Sequence, residues 1–93
     1  MKSYRWNEEK NEQLKQLRGV SFEDVVLAIE SGGLLDVLAH PNLRRYPNQK
    51  VLGVAVMEYV YLVPHVEESD HIFLKTVIPS RKATRDYGSR GDK

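Results

Sequence analysis

The strongest constraint in this 93-residue chain is a change of period at Gly32-Gly33. Before that point apolar residues recur at helical spacing; after it they alternate or run together as strands do. Asn7 to Arg18, NEEKNEQLKQLR, is rich in helix formers, with Asn7 placed to cap and Glu8 and Glu9 in the first turn. Trp6, Lys10, Leu14 and Leu17 follow at steps of four, four and three, which predicts one shared inward face. Gly19 ends this helix. Ser21 with Asp24 three residues on resembles a capping box, and Phe22, Val25, Val26 and Ile29 make an amphipathic stripe that Ser31-Gly32-Gly33 closes.

From Leu34 onward the chain reads as strands: Leu34–Ala39, Lys50–Met57, Glu58–Val66 and His71–Ile78. Residues 40–49 form an exposed loop built on His40-Pro41-Asn42 and Tyr46-Pro47-Asn48, and Glu67-Glu68-Ser69-Asp70 makes a hairpin turn. Pro64 demands a place where its missing N–H is not needed, or else a bulge or strand end. After Pro79, Ser80 caps a short helix, Arg81 to Tyr87. The expectation is an α+β domain over residues 1–87. Two N-terminal helices pack on a three- to four-stranded antiparallel sheet, a short basic helix follows, and residues 88–93 form a flexible tail.

Composition narrows the chemistry. The chain has no cysteine, which excludes disulfides, thiolate metal sites and a cysteine nucleophile. No apolar run approaches the roughly 20 residues of a membrane helix, and the opening does not read as a secretory leader, so a cytoplasmic protein is expected. His40, His65 and His71 have no metal-ligand spacing, and phosphate-loop, dinucleotide and serine-hydrolase motifs are missing, so no cofactor is expected.

Charge is more informative. The net charge is +1, yet residues 80–93 hold five Lys/Arg against two Asp/Glu, leaving +3 there and −2 elsewhere. Within SRKATRDY, Arg81 and Arg85 fall one helical turn apart, and with Lys82 they form a set that can grip phosphate or steady transition-state charge. Tyr87 adds a ring able to stack on a base or to donate a proton. The competing reading is a solvated helix face with Ala83 and Tyr87 packed inward. Lys10, on the apolar side of the first helix, either snorkels past the core edge or assists at an anion.

Three segments together resemble one family. These are Tyr4-x-Trp6-Asn7-x-x-Lys10-Asn11-x-x-Leu14, Arg18-Gly19-Val20-Ser21-Phe22-Glu23-Asp24-Val25, and Ile78-Pro79-Ser80-Arg81-Lys82-Ala83-Thr84-Arg85. In this order, over residues 4–87, they resemble the BrnT ribonuclease toxins of type II toxin–antitoxin systems, in the RelE-like superfamily. The resemblance implies a RelE-like fold with a short first strand near Ser3 to Trp6, and an endoribonuclease that suppresses translation. It also implies a cognate antitoxin of ribbon-helix-helix type, with operator DNA engaged only through the toxin–antitoxin complex. Arg81 and Tyr87 fill the places where the superfamily commonly carries an Arg and an aromatic or His.

RNA cleavage without a metal needs a base for the 2′-OH, a stabiliser for the phosphorane-like charge and an acid for the 5′-oxygen. The expected catalytic residues are Arg81 and Arg85 as stabilisers and Tyr87 or His65 as the acid. Glu58 or His40 is the base, and Lys10, Lys82, Arg44 and Arg45 bind RNA. The alternative is a degenerate toxin-like module that binds its partner without cutting RNA, motivated by the helix-breaking Gly88. A third reading is a sheet that binds RNA without cleaving it.

Overall fold

The first helix, α1 (Glu8–Arg18), begins where Asn7 Oδ1 accepts the Lys10 N–H at 2.9 Å. It ends at Gly19, whose left-handed φ of 69° suits a residue without a side chain. Helix α2 (Phe22–Glu30) starts with a complete capping box: Asp24 N–H donates to Ser21 Oγ at 3.1 Å, and Ser21 N–H donates to Asp24 Oδ2 at 3.0 Å. Asp is long enough to close this box in place of the usual Glu. The computed structural model describes residues 3–39, 44–45 and 49–91.

The inward face of α1 differs from the expected one. Asn11 and Leu14 are buried, whereas Leu17 is 82% exposed. Trp6 precedes the helix, so its spacing to Lys10 is not a helical step. The buried face centres between Asn11 and Leu14, and Leu17 lies roughly 90° round the helix from it.

Among the described residues, six strands form one mixed sheet: β1 (Ser3–Arg5), β2 (Leu34–Ala39), β3 (Gln49–Val56), β4 (Tyr59–Glu67), β5 (His71–Leu74) and β6 (Ile78–Pro79). Their order is β1-β5-β4-β3-β2, with β6 also paired to β4. This corrects the expected three or four antiparallel strands, because β1 joins in parallel to β5. Three residues are too few to display a period, so residue spacing alone does not reveal β1.

The expected strand His71–Ile78 is in fact two strands on the same side of β4. β5 pairs with His65, Val66 and Glu67, and β6 pairs with Tyr61 and Leu62. Pro64 falls in the gap. Its carbonyl accepts the Lys75 N–H at 2.8 Å, and in an antiparallel strand the N–H and C=O of one residue point the same way. The absent Pro64 N–H therefore faces the segment between β5 and β6, where the ladder is interrupted. That segment drops Val77 into the core, so the strand expected to run unbroken to Ile78 is interrupted there.

The core joins Leu14, Val20, Phe22 and Val25 to Leu52, Val54, Val63, Leu74 and Val77. Burying each large aliphatic or aromatic side chain contributes about 1.5–3 kcal/mol. Trp6 stacks on Phe22 with ring centroids 5.6 Å apart and closes the core at β1. Between α2 and β2, Gly33 donates to Ala28 O at 2.7 Å, and its own carbonyl accepts from Ala55 N–H at 2.8 Å. The third helix, α3 (Arg81–Gly91), runs past the Tyr87 boundary expected for it and spans Gly88. One interior glycine costs a helix about 1 kcal/mol, which weakens a helix without forbidding it. Residues 92–93 of the expected tail lie outside the described residues.

Candidate functional site

α3 is built onto the start of β4 by a compact set of hydrogen bonds. Ser80 N–H donates to Val60 O at 3.0 Å, and Val60 N–H donates to Thr84 Oγ1 at 2.8 Å. The Thr84 hydroxyl donates in turn to Ser80 O at 2.7 Å, while Ala83 N–H donates to the capping Ser80 Oγ at 3.1 Å. Ala83 and Thr84 are half-buried, so Arg81, Lys82 and Arg85 are left exposed.

The first turn of α3 contains no acidic residue, and no ion pair within 4.0 Å engages Arg81, Lys82 or Arg85 among the described residues. Cations at a helix N-terminus are opposed by the macrodipole. An anion bound there would relieve both the dipole and the side-chain charge. The chemistry available is recognition and stabilisation of a phosphate.

Around that end of the sheet stand residues of two kinds. Glu58 is exposed in the two-residue β3–β4 turn, two positions before Val60, and so shares the end of the sheet that carries Arg81. Tyr59 and Tyr61 flank Val60, with ring centroids 5.5 Å apart and planes at 59°. They form one side of a groove of about 400 Å³ whose other side is Leu27 and Ala28 of α2. The alternation Tyr59-x-Tyr61-x-Val63 is legible in the sequence and would have placed both rings on the helix-covered face.

Other expected site residues are dispersed. His65 is only 4% exposed, pairs across the sheet with Lys50 and Leu74, and has Nδ1 3.4 Å from Val63 O. Burial holds its imidazole below the ordinary value of 6.5. Along β4 it lies four residues from Tyr61, the partner of Pro79, a rise of about 13 Å. The fold therefore does not bring His65 to the Arg81 cluster. Arg44 and Arg45 are exposed in the β2–β3 connection, which enters β3 at the end opposite the β3–β4 turn. Lys10 is half-buried on α1 beside Asn11, and no hydrogen bond or ion pair among the described residues links its ammonium to α3. Tyr87 belongs to the α3 backbone, but its ring lies outside the described part, as does His40.

No group of three or more His, Asp or Glu among the described residues is arranged to hold a metal ion. No described helix is long and apolar enough to cross a membrane. Comparison with family models, with curated proteins and with solved structures finds no match.

Proposed function

We propose that the chain is an RNA-cleaving toxin of RelE-like architecture, resembling the BrnT family and neutralised by a protein partner. The observation that carries this reading is the set Arg81, Lys82 and Arg85, without an ion pair among the described residues, on the first five residues of a helix anchored to β4. A 2′-OH attack on the adjacent phosphorus forms the 2′,3′-cyclic phosphate and expels the 5′-oxygen. Arg81 and Arg85 offset the extra negative charge on the phosphoryl oxygens, and Lys82 holds a neighbouring phosphate. Glu58 takes the 2′-OH proton, being the carboxylate carried by the turn that leads to Val60. The leaving oxygen receives its proton from Tyr87.

The test is induction from a tightly controlled promoter with growth and RNA integrity followed together, beside Arg81→Ala. Growth arrest with RNA loss, absent in the variant, supports the nuclease. Unimpaired growth with intact RNA and soluble folded protein overturns it.

A second reading, a partner-binding module without cleavage, is favoured by β2. Leu34, Leu35, Val37 and Leu38 are all at least 38% exposed on an edge strand. Such an edge suits pairing with a partner segment. Binding to a partner that Arg81→Ala leaves intact, with no RNA product from either protein, would establish it.

A further inference from the structure

A groove at the same end of the sheet as the Arg81 cluster is not used in the cleavage chemistry above. Its wall is the Tyr59–Tyr61 pair, its opposite side is Leu27 and Ala28, and Val56 and Met57 close one end. Met57 is 94% exposed and holds a left-handed φ of 62°, a conformation costly for a residue with a side chain. Leu27 is 64% exposed. Apolar surface is thus held open around two aromatic rings.

Position relates this groove to the cations. Tyr61 is the direct cross-strand partner of Pro79, so the backbone that carries this ring and the backbone entering α3 stand one strand spacing apart, about 5 Å. Val60, between the two tyrosines, is the residue that binds Ser80 and Thr84. A ligand reaching from the α3 N-terminus into the groove must carry an anion at one end and a flat apolar face at the other. At the groove's margin, Asp24 uses Oδ2 to accept the Ser21 N–H and retains acceptor capacity for an N–H edge.

We infer that the groove is a nucleobase subsite, in which an unstacked base of single-stranded RNA lies against Tyr59 and Tyr61 while its phosphate rests on Arg81 and Lys82. This rests on the RNA reading above and adds to it where the base goes. Aromatic rings accept any base face, and charge complementarity with the exposed Arg81 and Lys82 selects a nucleic acid over an apolar peptide.

The test is fluorescence anisotropy of a short single-stranded RNA, 2′-O-methylated throughout so that it is not cut, titrated at several salt concentrations. Tyr59→Leu and Leu27→Glu are expected to weaken binding by about ten-fold each. Tyr59→Leu should leave the salt dependence unchanged, whereas Arg81→Ala should reduce the slope by about 0.7 for each phosphate that Arg81 neutralises. A fully paired RNA duplex should show the Arg81 effect without the Tyr59 effect. Wild-type protein that binds no RNA overturns the RNA reading and the subsite together. Arg81-dependent binding that neither groove variant changes overturns the subsite alone. A doubled mass by light scattering that Leu27→Glu halves makes the groove an interface between copies and also overturns it.

Discussion

The Asn11 side chain accepts the Phe22 N–H at 2.8 Å and donates through Nδ2 to Glu23 Oε1 at 2.7 Å. One fully buried amide in α1 thereby satisfies a free backbone donor at the start of α2 and orients the carboxylate beside it. The Asn11 hydrogen bond is the leading cause holding the Glu23 carboxyl below its usual range. These two bonds tie α1 to the first turn of α2.

Asn11→Leu keeps the branched side-chain shape, adds bulk and orphans the Phe22 N–H. The expected loss is about 1–3 kcal/mol in a urea titration. Asn11→Asp should be no better at neutral pH, because it replaces the donor facing Glu23 by a second carboxylate.

A β-carbon at Gly33 would stand 2.7 Å from Ala55 O and 2.8 Å from Ala28 O, both backbone atoms. Neither can swing aside as a flexible side chain would. Gly33→Ala is expected to cost about 1–3 kcal/mol, seen as a lower thermal midpoint, by forcing α2 away from β3.

Thr84 tests whether the placement of α3 matters apart from its charge. Thr84→Val leaves Val60 N–H without its 2.8 Å acceptor, and Thr84→Ser retains the hydroxyl. The Val variant should lose about 1–2 kcal/mol and lose RNA cleavage with all three cations intact. The Ser variant should keep most of both. Cleavage unaffected in Thr84→Val would separate the chemistry from this end of α3.

His65 predicts an acid-sensitive fold. Its folded pKa is depressed by burial, so below about 6.5 the unfolded chain takes up a proton that the folded chain resists. The stability this residue permits is complete above the unfolded value and falls with pH until the folded pKa is reached. Denaturant midpoints measured from pH 7.5 down to 5 should drop more steeply for the wild type than for His65→Gln.

What the sequence determined alone is its local physics. Asn7, Gly19, Ser21 and Asp24 announce the helix ends because caps act within a few residues. The Glu67–Asp70 hairpin turn and the helical Arg81 segment are legible for the same reason, whereas the Met57-Glu58 turn carries no Gly or Asn to announce it. The tertiary structure decided whatever joins distant residues. Asn11 reads as an ordinary polar helix position until Phe22 and Glu23 are brought to it. β1 exists because β5 offers it an edge, and the run His71–Ile78 splits because Pro64 interrupts the ladder opposite. His65, equally eligible with other candidates in the sequence, is assigned to the interior by its strand register. Thr84 likewise acquires its role only when Val60 arrives from 24 residues away. Hydrophobic period encodes which side chains turn inward, but pairing partners emerge from the competition among all inward faces for one small core.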